Sequence, residues 1–220
     1  DTPWAASCAR KSARADAAVS AAYGSAGERC LAVSKLIAVG DVAEPVIEAI
    51  KQRIPNVKIG DGMDPSSEMG PLVTREHRDK VASYLDEGTV IVDGRESCPD
   101  EGFFIGPSLI DDVKPGMRSY DDEIFGPVLG IARVETYEEA VGLINENPYG
   151  NGTAIFTRDG GVARQFQFDV QAGMVGINVP IPVPVAYYSF GGWKASLFGD
   201  RHIYGPEGID FYTRSKVVTS

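Results

Sequence analysis

Apolar positions along this chain fall into two alternating regimes, one with helical spacing and one of short apolar runs, and the switches between them outline the fold. Strong helix formers before a glycine stop at Gly24 predict a helix over about 12–23. Leu31 to Val39, "LAVSKLIAV", predicts a buried strand, or a helix end running into one. Val42, Val46, Ile50 and Ile54 then share one helical face. Gly60 to Gly70 is loop-forming, and a polar helix is predicted from Thr74 to Asp86 with Thr74 as its cap. "TVIVDG" predicts a strand and turn, while Ser97 to Gly116, with three prolines, predicts an irregular surface excursion. Beyond it the pattern predicts a strand at "PVLGIARV", a helix from Tyr137 to Asn145 and a strand at "GTAIFT". A helix from Gly161 to Phe168, a strand at "MVGIN" and a terminal strand at "GIDFYTRSKVVT" complete it. Strands separated by helices of this length imply an α/β fold with a largely parallel sheet. The expected organisation is one domain, residues 1–208, and a C-terminal arm, 209–220.

Composition narrows the function classes. The formal charge of −10 argues against an extended nucleic-acid or anionic-membrane footprint, while leaving room for one arginine that binds a small anion. No apolar run is long enough to span a bilayer. The three cysteines, Cys8, Cys30 and Cys98, are odd in number and without paired spacing, which implies a reducing, cytoplasmic setting rather than a disulfide framework. No CxxC or HxxxH supports a metal site. The opening stretch has no signal-peptide pattern and does not begin with Met, which fits a fragment or a processed product.

Four stretches could carry chemistry. In "YGSAGERCLAVS", Gly24 and Gly27 permit close backbone approach to Cys30, and Arg29 would favour a thiolate; a helix starting near Cys30 would add its N-terminal N–H groups. The alternative is a small buried residue. Arg29 reads equally as a surface ion pair, perhaps with Glu28, or as a fork for a substrate carboxylate. In "DDEIFGPVLG", Glu123 and Phe125 are either part of a solvated turn or a polar and an aromatic ligand contact. "VPIPVPVAYYSFGGWK" is either a rigid cover over the core or a pocket wall. His77 and His202 are expected to be solvated, and Cys8 and Cys98 incidental.

Taken together, "GSAGERC", "EIFGPVLG", "NPYGNGTAIFTRD", "GMVGINVPIPVP" and "SFGGWK" resemble, in order, the catalytic half of the aldehyde dehydrogenase superfamily. The "GERC" and "NVPIPVP" forms are most similar to its CoA-acylating branch acting on methylmalonate semialdehyde. The resemblance implies Cys30 as nucleophile, forming a thioester after hydride loss to NAD, with Arg29 on the substrate carboxylate. It implies Glu123 and Phe125 near the nicotinamide riboside, and Phe190 in the loop lining the substrate pocket. It further implies decarboxylation, acyl transfer to coenzyme A as co-substrate, and a homodimer or homotetramer joined through the terminal strand. The family's N-terminal NAD-binding half has no counterpart here: no GxGxxG precedes Cys30, residues 1–15 do not match, and 87–103 is short. The isolated chain is therefore expected to be inactive. A hydrolytic dehydrogenase of another carboxylated semialdehyde, such as succinate semialdehyde, and a non-catalytic assembly module are the competing readings.

Overall fold

The computed structural model describes the backbone of residues 8–220 and side chains from residue 14 onward; most of the atypical opening and the side chain of Cys8 lie outside the described residues. Helix α1 (Cys8–Tyr23) buries Ala15, Ala18, Ala22 and Tyr23. Strand β1 (Lys35–Val39) follows, then α2 (Ala43–Lys51), which buries Val46, Ile47 and Ile50. The predicted apolar face is right in its centre, and only Val42 at its edge is half-buried. In α3 (Arg75–Ser83), the Thr74 hydroxyl accepts from the His77 N–H at 3.1 Å, the expected cap.

Strands β2 (Thr89–Val92) and β3 (Ser108–Asp111) precede the short α4 (Arg118–Asp121) and the long β4 (Val128–Val134). These strands form one sheet in the order β1-β4-β3-β2, parallel except for the β2–β3 pair. Helix α5 (Tyr137–Glu146) opens with a reciprocal capping box between Thr136 and Glu139. The C-terminal third adds β5 (Tyr149–Gly150), β6 (Gly152–Ile155), α6 (Gly160–Asp169), β7 (Met174–Ile177), β8 (Trp193–Lys194) and α7 (Pro206–Tyr212). There β6 pairs with β7 in parallel, and β5 with β8 antiparallel. The α/β class with mainly parallel strands is as the sequence implies.

Two expectations fail, for different reasons. The supposed surface excursion contains β3, whose four residues are all buried inside the sheet. Its prolines flank the strand rather than interrupt it, and its polar ends find distant partners. Ser108 Oγ accepts from the Gly94 N–H at 3.0 Å, and the Ser108 carbonyl accepts from the Tyr23 hydroxyl at 3.0 Å. The predicted terminal strand is instead helical over Pro206–Tyr212, with Pro at the start behind Gly205 at φ 69°. Residues 213–220 have no ladder partner among the described residues.

Asp111, at the other end of β3, supplies a pH-dependent strut. Arg133 binds it in a fork, Nε to Oδ1 at 3.0 Å and Nη2 to Oδ2 at 2.5 Å. Burial pushes the carboxyl upward, but Arg133 and the Asp112 N–H together hold it below its usual range. A depressed carboxyl stabilises the fold above its unfolded pKa, and that contribution is lost as pH falls through the folded value. Arg133→Gln is expected to cost about 2 kcal/mol at neutral pH, less than a fully buried pair would, because the guanidinium is 36% exposed. Urea unfolding at neutral and acid pH should show the difference shrinking as Asp111 protonates.

Candidate active site

Three consecutive left-handed residues end α1: Ser25 at φ 54°, Ala26 at 53° and Gly27 at 71°. They turn the chain back, and the turn closes through Glu28 N–H to the Ser25 carbonyl at 3.0 Å and Ala32 N–H to the Arg29 carbonyl at 2.9 Å. Gly27 is required at its position. A Cβ there would stand 2.3 Å from the Gly126 carbonyl oxygen, so the cysteine loop rests directly on the "EIFGP" backbone. Cys30 is exposed in this turn. No helix begins at Cys30, so the condition for help from a helix start is not met; β1 starts only at Lys35. The N-terminal N–H groups that a helix starting at Cys30 would have offered are therefore not supplied there.

Cys30 opens onto a cavity of about 660 Å³, also lined by Arg29, Glu123, Phe125 and Asn151, with α1, β1 and α5 forming its deeper walls. Arg29 Nη2 donates to the Ser20 carbonyl at 3.2 Å, and its guanidinium lies over Gly24, where a Cβ would come within 2.3 Å of Nη2. Thus Gly24 makes room for the arginine at the cavity wall. Arg29 is not paired with Glu28. Glu28 turns the other way, its Oε1 lying 3.6 Å from His77 Nε2.

His77 is not the solvated residue its polar helix suggests. Its Nε2 lies 2.7 Å from the Phe125 carbonyl, and because a carbonyl only accepts, Nε2 carries the hydrogen. Phe125 itself has φ 53°, an unfavourable state for an aromatic residue, and is 38% exposed on the cavity. His77 thus helps hold a strained residue at the site. The adjoining acidic turn is also fixed from beneath. Lys35 Nζ donates to the Asp122 carbonyl at 3.1 Å, and the Tyr84 hydroxyl donates to Asp122 Oδ2 at 2.8 Å. Burial lowers the Lys35 pKa, although the carboxylates of Asp121, Asp122 and Glu123 oppose this. Glu123 remains exposed beside Phe125.

Burial pushes the Glu28 carboxyl upward, outweighing its hydrogen bond from the Val73 backbone and the charge of His77; Oε1 is buried without a hydrogen-bond partner among the described residues. A raised carboxyl contributes stability that is fully present below its unfolded pKa and is lost as pH rises through the folded one. Glu28→Gln is therefore expected to match the parent at about pH 4 and to exceed it by about 1 kcal/mol at about pH 8. Thermal unfolding at the two pH values checks this.

The proline and aromatic loop divides its roles. Pro180 and Pro182 line the cavity, while Phe190 packs on Tyr204 with ring centroids 5.3 Å apart and lies outside that lining. The glycines after Phe190 meet other groups closely, Gly191 the His202 ring and Gly192 Asn151. His202, also expected to be solvated, is half-buried; its Nδ1 is hydrogen-bonded to the Ser189 hydroxyl, and its N–H donates to Glu207 Oε2 at 2.8 Å. The structure therefore brings Cys30, Arg29, Glu123 and Phe125 to one cavity and leaves Phe190 to one side. It also adds Asn151, whose Nδ2 donates to the Cys30 carbonyl at 2.9 Å. Among the described residues no helix is long and apolar enough to cross a membrane, and no cluster of three His, Cys, Asp or Glu could hold a metal ion.

Comparison with known proteins places this site in context. The profile of the aldehyde dehydrogenase family matches residues 7–218, which corrects the expectation that residues 1–15 fall outside the resemblance: it begins at residue 7. A malonate-semialdehyde dehydrogenase of Pseudomonas aeruginosa is 53% identical over 212 residues, an alignment covering 92% of this chain and 43% of that protein. The crystal structure of methylmalonate-semialdehyde dehydrogenase from Oceanimonas doudoroffii is 49% identical, with a TM-score of 0.90 over 93% of this chain and 44% of that one. A Sinorhizobium meliloti 1021 protein assigned as a methylmalonate-semialdehyde dehydrogenase and solved with NAD is 46% identical, with a TM-score of 0.92 over 96% of this chain and 45% of that one. This chain thus spans less than half the length of the relatives it matches.

Proposed function

This chain belongs to the aldehyde dehydrogenase family, and from that premise we propose that it is the nucleophile-bearing portion of a CoA-acylating dehydrogenase of malonate or methylmalonate semialdehyde. The observation that carries this reading is the exposed Cys30 at the cavity, flanked by the guanidinium of Arg29. The Cys30 thiolate attacks the aldehyde carbon, forming a C–S bond and a hemithioacetal oxyanion. Arg29, moving from its contact with the Ser20 carbonyl, holds the substrate carboxylate in a two-point fork. That fork places the aldehyde carbon at the sulfur and favours an aldehyde with a carboxylate on its α-carbon over a neutral one.

The cavity has chemistry suited to a nicotinamide riboside: the exposed carboxylate of Glu123 can accept from ribose hydroxyls, and the half-exposed ring of Phe125 offers a flat apolar surface. When bound, NAD supplies the acceptor for the hydride that leaves the hemithioacetal carbon. Cys30 then carries the acyl group as a thioester. Loss of CO₂ replaces the carboxylate by a proton, and the CoA thiol takes the acyl group from Sγ, freeing Cys30. The chain spans less than half the length of these relatives, and we propose that by itself it is inactive. Residues 209–220, exposed throughout, are proposed as an arm that joins like subunits.

The test uses the longer protein that contains this sequence, with malonate and methylmalonate semialdehyde, NAD, and CoA present or absent. Acetyl-CoA or propionyl-CoA formed in step with NADH supports the proposal. Free acid formed at the same rate without CoA would replace it with a hydrolytic dehydrogenase. Absence of NADH with every semialdehyde would favour a non-catalytic module.

A further inference from the structure

We infer that Asn151 is a positioning residue for Cys30, an inference resting on the reading of Cys30 as the nucleophile. Cys30 sits in an exposed turn with no helix behind it, and close hydrogen bonds on either side leave its own carbonyl unclaimed by backbone N–H groups in that turn. Asn151 claims that carbonyl, Nδ2 to O at 2.9 Å, across 121 residues of sequence. The orientation of the peptide after Cys30 is thereby fixed, and with it the direction in which Cα presents the side chain to the cavity.

Asn151 can do this because it is itself held on several sides. Its backbone carbonyl accepts from the Met174 N–H at 3.2 Å, at the start of β7. Its neighbour Gly150 donates to Ser196 Oγ at 3.1 Å. Gly192, in the "SFGGWK" loop, leaves room for it: a Cβ on Gly192 would stand 2.9 Å from Asn151 Cα and 3.2 Å from Oδ1. A second contact lies one residue along, where a Cβ on Gly152 would stand 2.9 Å from Leu31 Cδ2. The pair Asn151–Gly152 therefore grips Cys30–Leu31 at two points, one polar and one apolar. Asn151 also lines the cavity, so the residue that holds the Cys30 peptide borders the space onto which Cys30 opens. Neutral Asn suits this role better than a charged donor, because a cation would add desolvation cost and a carboxylate would repel the carbonyl it faces.

The test follows alkylation of Cys30 by iodoacetamide in this chain from about pH 5 to about pH 10, read by peptide mass, with Cys98 as internal reference. In Asn151→Leu, which keeps the shape and removes the donor, Cys30 is expected to react about five-fold more slowly and with a displaced pH midpoint, while Cys98 is unchanged. A merely structural role would lower the unfolding temperature without moving that midpoint. A folded Leu variant whose Cys30 rate and midpoint equal the parent's overturns the role of Asn151. A parent Cys30 that reacts no faster than Cys98 instead removes the nucleophile reading, which separates the two failures. If Asn151→Leu does not fold, the unaltered chain still decides by NMR. The Asn151 side-chain amide protons should exchange slowly and shift when Cys30 is alkylated; rapid exchange with no shift overturns the inference.

Discussion

Replacing Cys30 by serine in the longer protein is expected to lower NADH production by roughly 10⁴-fold or more, the scale on which a covalent nucleophile acts. The size of the loss follows from the neighbourhood. A serine hydroxyl needs a base to attack a carbonyl, and neither histidine can serve. His77 Nε2 is committed to the Phe125 carbonyl, and His202 Nδ1 to the Ser189 hydroxyl. A thiol needs much less help, since its pKa lies within reach of neutral pH and its thiolate is strongly nucleophilic. Because Cys30 is exposed, the same change should leave unfolding within about 0.5 kcal/mol of the parent. Turnover by the serine variant at even a hundredth of the parent rate would move the chemistry to another residue.

Gly27→Ala is expected to have the largest effect on stability at the site, about 3 kcal/mol or more. Two costs combine. Alanine at φ 71° occupies the left-handed region, and its Cβ would stand 2.3 Å from the Gly126 carbonyl oxygen, where neither backbone can yield without moving a loop. The loops that separate carry Cys30 on one side and Phe125 on the other, so Cys30 alkylation should slow as stability falls. Ser25→Gly is the control. Ser25 is exposed at φ 54°, and glycine relieves its backbone without opening a hole, so stability should hold or rise slightly. Chemical denaturation of the three proteins gives the comparison. Equal midpoints for Gly27→Ala and the parent would mean that the two loops are not in contact.

Local pattern was enough for much of the framework and little of the site. The α2 face, the Thr74 cap and β4 were legible because each is written within one element, as a helical period, a capping residue or an apolar run. Strand β3 was not, because its burial depends on Tyr23, Gly94 and Arg133, all distant in sequence. The C-terminal segment misled because "GIDFYT" alternates as a strand would, while Pro206 behind a left-handed Gly205 sets a helix start. At the candidate site, motifs pointed to Cys30, Arg29, Glu123 and Phe125, which the structure brings to one cavity. His77 and Asn151 were not legible, since each acts on a backbone carbonyl, 48 and 121 residues away respectively, and no local rule announces such a bond.

The two contacts that frame Cys30 also set a timetable for its maturation. A chain emerging from the ribosome presents the cysteine long before Gly126 can seat its loop, and longer still before Asn151, 121 residues later, can take its carbonyl. At roughly 5–20 residues per second, that gap lasts on the order of ten seconds. During it Cys30 lies on a segment that neither contact yet holds. On the proposed reading of Cys30 as the nucleophile, the geometry that presents it to the cavity is therefore completed only when distant parts of the chain close around it.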